Sequence, residues 1–336
     1  MTVLWLQLVM VAFVILVASQ FLARSADAIG IKTGLGRSFV GVVLLATATS
    51  LPELGTGISS IMLVGEPDLA AGDAFGSNLF NLMIIGLLDL YWRNGSILNS
   101  VSSAPVLVAI LGAGLISLAA IAIFLHGATT LFNGWYLSPI SLIIVVLFVL
   151  GMYLIYRFDK NGSGHASSSV DGDQYTNTTL VRSCLVYAGS AAVVVGAAVV
   201  LANIGDSIAE EMGWHASFVG TLLLAFSTSL PELATCFAAL RIRAPELAIS
   251  NVLGSNVFNM GFVLFMDDLV YFDGTFWSGI SQLHILTAVI AVFMSMIVAV
   301  SLLVKLPPRV FRFWTLEGAT LFVIYVVASV VVFKIA

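Results

Sequence analysis

The sequence predicts an all-α polytopic membrane protein, with ten transmembrane helices arranged as two inverted five-helix repeats. Three observations lead there. Of the 336 residues, 60 % are apolar and 9 % charged, whereas a soluble domain carries about 25 % charged residues, so no water-soluble core would hide this much apolar side chain. The 13 basic residues crowd into alternate connections between apolar stretches. Two long segments of the first half recur in the second.

Taken in chain order, the first apolar stretch, Thr2 to Leu22, is too long for the core of a signal peptide and lacks a basic leader, so it reads as a first span. About 20 residues at 1.5 Å each cross about 30 Å of hydrocarbon. Windows of that length fall at 3–22, 37–62, 70–88, 104–126, 136–156, 181–203, 214–240, 246–266, 284–304 and 315–334. The segment 157–180, rich in Gly, Ser, Asn and Asp, is the linker between halves 1–156 and 181–336.

The connections test this count. With ten alternating spans, Arg24, Lys32, Arg37, Arg93, Arg157, Lys160, Arg182, Arg241, Arg243, Lys305, Arg309 and Arg312 lie on one side and Lys334 alone on the other. Basic residues mark the cytoplasmic face, and a wrong count would scramble the tally. The linker is therefore expected in the cytoplasm and both termini outside it. Trp5, Trp92, Trp135, Trp214, Trp277 and Trp314 fall near span ends, as in an interfacial belt.

The repeat is long. Ser38-Phe-Val-Gly-Val-Val-Leu-Leu-Ala-Thr-Ala-Thr-Ser-Leu-Pro-Glu-Leu54 returns 179 residues later as Ser217-Phe-Val-Gly-Thr-Leu-Leu-Leu-Ala-Phe-Ser-Thr-Ser-Leu-Pro-Glu-Leu233. Gly76-Ser-Asn-Leu-Phe-Asn81 returns 178 residues later as Gly254-Ser-Asn-Val-Phe-Asn259, so one residue is gained or lost in the turn between. An odd number of spans per half inverts the second copy. Inverted repeats meeting at the bilayer midplane are the architecture of alternating-access transporters.

Glu53 and Glu232 lie inside apolar stretches, each directly after a proline. An ionisable side chain at that depth costs at least about 2.5–3.5 kcal/mol and normally faces a cavity, a partner or an ion. Pro52 and Pro231 bring no amide to the helix ladder, so carbonyls around Ala46, Ala48, Ala225 and Ser227 are expected to be freed. Ala46, Thr49, Ser50 and Glu53 are three or four residues apart, as are Ala225, Thr228, Ser229 and Glu232. Ser77 with Asn81 and Ser255 with Asn259 are each four apart. Oxygen-only ligation of this kind suits a hard cation such as Ca²⁺, whose charge two carboxylates balance, or several Na⁺ ions. Helix packing alone accounts for single serines or glycines here, but not for two buried acids in mirrored settings.

Other residues carry less. Asp73 pairs with Ser250 or Asn251, depending on the position of the length change, and is a weaker candidate for an ion vestibule. Asp206, Glu210, Glu211, Asp267, Asp268 and Asp273 read as solvated acids of exterior loops, and Cys184 and Cys236 as buried small hydrophobes. No nucleotide loop, zincin motif or nucleic-acid-binding arm is present in the sequence, and no histidine or lysine at midplane depth is placed to activate a hydroxyl as a nucleophile. Expected partners are membrane lipid and inorganic cations, without nucleic acid.

The runs Gly-x-x-x-x-Ala-x-x-Thr-Ser-Leu-Pro-Glu-Leu beginning at Gly41 and Gly220, with Gly-Ser-Asn-x-Phe-Asn at 76 and 254, resemble the two alpha repeats of the sodium/calcium exchanger branch of the cation/calcium antiporter superfamily. The likeness is to a membrane-only member of prokaryotic type, which places the chain in a cell inner membrane. By that resemblance Glu53, Asn81, Glu232 and Asn259 match calcium-ligand positions. Ala46, Thr49, Ser50, Ser77, Ala225, Thr228, Ser229 and Ser255 match positions lining sodium sites, with Glu53 and Glu232 shared between the two sets. The implied activity is exchange of Ca²⁺ against Na⁺ as spans 1 and 6 slide against the rest, with no cofactor beyond the transported ions. Two departures stand out: Ala48 and Ser227 replace the family's usual Gly, and Asn259 stands where potassium-dependent members carry Asp. Proton/calcium exchange and a non-transporting scaffold or sensor are the alternatives.

Overall fold

A computed structural model describes residues 2–33, 40–92, 95–132, 134–162, 178–241, 243–305 and 314–335. Apolar length dictates helices throughout. Besides the short helices Ala216–Val219 and Phe276–Gly279, they are, in chain order, α1 Thr2–Thr33, α2 Ala46–Thr49, α3 Leu51–Ser59, α4 Pro67–Tyr91, α5 Ala104–Ala128, α6 Pro139–Gly162, α7 Leu180–Met212, α8 Ala225–Thr228, α9 Leu230–Arg241, α10 Pro245–Phe258, α11 Leu264–Val270, α12 Leu283–Val304 and α13 Leu316–Ile335. Pro67, Pro139 and Pro245 stand at helix starts, where the missing amide costs nothing. Gly65 (φ 84°) and Gly213 (φ 64°) end their helices in the left-handed region that a side chain disfavours.

Among the described residues nine stretches are long and apolar enough to span a bilayer, with Leu51–Val64 as a shorter apolar piece. That piece belongs to the window 37–62, which is broken at Ser50 and whose start, with the linker residues 163–177, lies outside the described residues. Two spans overrun their windows. Helices α1 and α7 have 32 and 33 residues, about 48 Å at 1.5 Å each, longer than a hydrocarbon core of about 30 Å, and they pack along one another.

The duplicated segments form the centre. Helix α4 lies in the core with 83 % of its span buried, and Pro245–Val270 with 89 %, against 22 % for the first span and 17 % for α7. Glycine permits the crossing: a Cβ on Gly220 would lie 2.6 Å from the Leu69 carbonyl and 3.0 Å from the Gly72 Cα. The α1–α7 pair touches the centre where a Cβ on Gly55 would meet the Ala198 Cβ at 2.8 Å. It also packs Ile15, Leu201, Ile204 and Ile208 against Leu69, Val219 and Leu224, while its outer face presents Phe13, Phe21, Leu185 and Val193.

The length change between the copies has a structural home. The first copy takes up its extra residue in a π turn, Ser60–Val64, with no counterpart in α9. The second copy regains one in a π turn at Asn259–Val263, where α4 runs on as regular helix. Single-residue insertions into helices produce such turns, often at functional sites. The register is thus 179 up to Thr56/Thr235, 178 from Asp73/Asn251 to Asn81/Asn259, and 179 again at Asp89/Asp268.

Three expectations are corrected. Asp267 and Asp268 are not solvated loop acids: both are fully buried in α11. Trp277 is not interfacial but buried, donating from Nε1 to Ser141 Oγ at 2.6 Å. Cys184 is exposed on the outer face of α7, while Cys236 is buried and donates to the Ala248 carbonyl at 3.3 Å.

Candidate cation site

Each duplicated helix breaks one turn before its glutamate. Ser50 (φ −91°, ψ 9°) and Ser229 (φ −87°, ψ 4°) sit outside helical geometry, and the chain re-enters a helix through Leu-Pro-Glu. The proline four residues on has no amide for the carbonyls of Ala48 and Ser227. The carbonyls of Ala46 and Ala225 are not freed as expected: each accepts the Ser50 or Ser229 amide, at 2.9 and 3.1 Å, leaving a second lone pair.

The two breaks meet, and their partners cross between copies. Ser229 Oγ donates to Glu53 Oε1 at 3.2 Å, and Ser50 Oγ donates to Glu232 Oε1 at 3.3 Å. Ser255 Oγ also donates to Glu232 Oε1, at 3.1 Å. Flanking hydroxyls pair in the same crossed sense, Thr49 with Ser255 and Ser77 with Thr228, both at 3.4 Å. Glu53 Oε2 and Glu232 Oε2 are buried without a hydrogen-bond partner among the described residues. Two carboxylates so placed, 1 % and 0 % exposed, are costly in low dielectric unless a cation or protons neutralise them.

The structure therefore gathers Thr49, Ser50, Glu53, Ser77, Thr228, Ser229, Glu232 and Ser255 about one centre. Ala46 and Ala225 lie buried one turn before their glutamates. The asparagines separate. Asn81 Nδ2 donates to Asn256 Oδ1 at 3.0 Å, while Asn259 is buried with neither amide atom partnered among the described residues. Asn256 Nδ2 in turn donates to the Asn78 carbonyl at 3.3 Å, a cross-link between α4 and α10 that sequence reasoning missed, although Asn78 and Asn256 stand inside the repeated motif.

The counterpart of Asp73 is Asn251. Thr56 donates to Asp73 Oδ2, and Asn251 Nδ2 donates to the matching Thr235 Oγ1 at 3.0 Å. Asp73 also accepts from Thr228 Oγ1 at 2.9 Å, which ties it directly to the central hydroxyls. At the mouth of the first-copy half, Glu66 faces Asp206, Asp68 and Glu210, and burial together with these acids pushes its carboxyl above the ordinary range.

Comparison with known proteins agrees with this architecture. The family model described as sodium/calcium exchanger protein matches residues 3–157 and 182–334. Inner membrane protein YrbG of Escherichia coli is 25 % identical over 245 residues, 70 % of each chain. The sodium/calcium exchanger MaX1 of Methanosarcina acetivorans is 39 % identical over 95 residues, 28 % of this chain and 25 % of that one. A solved structure of the sodium-calcium exchanger NCX_Mj, soaked with Na⁺ and Sr²⁺, superposes with a TM-score of 0.64 at 20 % identity, covering 97 % of this chain and 98 % of that one.

Proposed function

The chain belongs to the sodium/calcium exchanger family, a multi-pass membrane family of cation antiporters, and from that premise we propose that it exchanges Ca²⁺ for Na⁺ at the Glu53–Glu232 centre. One observation carries this reading: serines of one copy bond the glutamate of the other, leaving a buried, unpartnered oxygen on each carboxylate. Two carboxylates neutralise one Ca²⁺, and Asn81 and Asn259 supply neutral oxygens beside them. The hydroxyl pairs Thr49/Ser255 and Ser77/Thr228, with the Ala46 and Ala225 carbonyls, are oxygen donors of the kind Na⁺ takes on either side.

Alternating access follows from how unequally the helices are held. The α1–α7 pair is mostly lipid-facing, with 22 % and 17 % of its spans buried, and it meets the core through apolar and small side chains such as Gly55 against Ala198 and Gly205 against Leu224, so it can slide while α4 and α10 stay fixed. In this reading halves 1–156 and 181–336 are the two repeats, 157–180 is cytoplasmic, and both termini lie outside a prokaryotic inner membrane. In a Cys184→Ala/Cys236→Ala background, single cysteines at Thr179 and Lys334 should label from opposite faces. Labelling from one face would reject the ten-span arrangement.

The exchange itself is tested in proteoliposomes with Na⁺, H⁺ and K⁺ gradients varied separately. Ca²⁺ flux should follow the Na⁺ gradient, need no K⁺ because Asn259 leaves only two acids at the centre, and respond to voltage. With three Na⁺ per Ca²⁺, one net charge at 100 mV is worth about 2.3 kcal/mol, roughly fiftyfold in the equilibrium ion ratio. Flux that follows the proton gradient alone would assign the chain to proton coupling instead.

A further inference from the structure

Inversion makes the two halves of the centre alike, yet one half holds two acids for which the other has no equivalent. Asp267 is fully buried in α11, and neither carboxylate oxygen has a hydrogen-bond partner among the described residues. Ionised, such a group needs donors or a cation; protonated, it needs an acceptor. Its carboxylate rests against Gly57 of α3, where a Cβ would lie 2.5 Å from Oδ1 and 3.1 Å from Oδ2. Asp73 and Asp268 are the acids in electrostatic reach of it. Asp268 is already occupied, accepting from the Ser138 amide at 2.9 Å, Ser141 Oγ at 2.5 Å and the Phe276 amide at 2.7 Å.

The mirrored place is closed and neutral. Gly57 corresponds to Cys236, whose thiol fills the space and bonds Ala248 and Asn251. Asp73 corresponds to Asn251 and Asp267 to Leu88, neither of them ionisable. Packing does not account for the difference, since the second copy achieves the same fold without these acids. Asp73 in turn touches the centre through Thr56, which also bonds the Glu53 carbonyl, and through Thr228.

We propose that Asp267 and Asp73, with the hydroxyls of Thr56 and Thr228, form a second hard-cation site stacked on the Glu53 side of the central pair and absent from the Glu232 side. The proposal rests on reading the chain as a cation exchanger. Its ligands are carboxylate and hydroxyl oxygens only, which select Na⁺ or Ca²⁺ over softer metals. An ion leaving Glu53 toward this end would exchange one pair of carboxylates for another instead of crossing bare apolar protein. The opposite route offers the amide of Asn251 and the hydroxyl of Thr235, with Leu88 and Asn251 standing where the acids would be.

The test is equilibrium binding of Na⁺ and of Ca²⁺, each alone, to the purified full chain. In the double variant Glu53→Gln/Glu232→Gln, one cation-binding event should remain, and adding Asp267→Asn should weaken it at least tenfold. Gly57→Ala, which drives a methyl group against Asp267, should do the same and covers the case in which Asp267→Asn does not fold. Survival of Na⁺ binding but not of Ca²⁺ binding, or the reverse, identifies the ion. If the double variant binds nothing, as a site that holds only a proton would also give, or if neither added substitution changes what it binds, the outer site is overturned. If the double variant binds as the unaltered chain does, the failure lies with the central pair instead.

Discussion

The first-copy and second-copy halves of the site differ more than their shared sequence implies. Around Glu53 lie Asp73, the gap at Gly57 and the unpartnered Asp267; around Glu232 lie Asn251, the Cys236 thiol and Leu88. The centre itself stays symmetric, since each glutamate accepts from the opposite copy's serine at nearly equal distance. Duplication therefore preserves what must face both sides of the membrane, while the flanks, which each face one side, have diverged. A pair of acids that serve packing in both copies shows the conserved case. Asp89 accepts from the Ile97 amide at 3.0 Å, the Thr315 amide at 3.1 Å and Thr315 Oγ1 at 2.8 Å, at the start of α13. Asp268 takes three equivalent bonds, at the start of α6.

The largest effect is expected at the symmetric centre. Glu53→Gln and Glu232→Gln each leave an entering Ca²⁺ one charge short, at about 3–5 kcal/mol, roughly a hundredfold or more in affinity. The two losses should be equal and the double substitution little worse, because the carboxylates act as one unit. Calorimetric Ca²⁺ titration beside vesicle flux measures this, and near-normal behaviour of either well-folded single variant would remove the shared centre.

Next come the mirrored caps. Asp89→Ala and Asp268→Ala each strand three donors, so each should lower stability by about 2–3 kcal/mol, read as matching drops in melting temperature in detergent. A large drop in one and none in the other would show that the halves also diverge in packing. Asp73→Asn should cost less, about 1 kcal/mol, because the amide keeps one acceptor oxygen and the hydroxyls of Thr56 and Thr228 still have the Pro52, Glu53 and Leu224 carbonyls to donate to. It should also raise the Na⁺ concentration needed for half-maximal exchange. An unchanged Na⁺ dependence would reduce Asp73 to a structural residue.

The smallest effect is expected at the mouth. Partial burial, together with crowding by Asp206, Asp68 and Glu210, raises the Glu66 carboxyl above its ordinary range. The repulsion is therefore present above that raised pKa and vanishes as pH falls through it. Glu66→Gln should stabilise the protein at pH 7 by no more than about 0.5 kcal/mol, the scale of exposed charge interactions. The gain should fade toward pH 4, and a gain that persists there would have another cause.

Much of this was legible in the chain. The spans follow from apolar length, and the central acids stand out because two glutamates in apolar helices, each after a proline, have no packing role. Asp267 was not legible: beside Asp268 and close to a span end it reads as a loop acid, since local sequence does not register the glycine 210 positions earlier that makes room for it. Asn251 was ambiguous for the same kind of reason, because a π turn absorbs the length change that any residue-by-residue comparison has to place somewhere.

The sequence by itself determined a ten-span inverted duplication, its family, and the glutamates, serines and threonines at its centre. Those are properties of apolar length, spacing and repetition along one chain. Only the tertiary structure decided that Ser50 serves Glu232 and Ser229 serves Glu53, that Asn81 is engaged while Asn259 is not, and that an acid lies buried against Gly57. Helical spacing specifies which side chains share a face. Which face of the other copy they meet depends on how the two helices cross, at Gly72 and Gly220, and on the single inserted residues that turn each helix beyond the crossing.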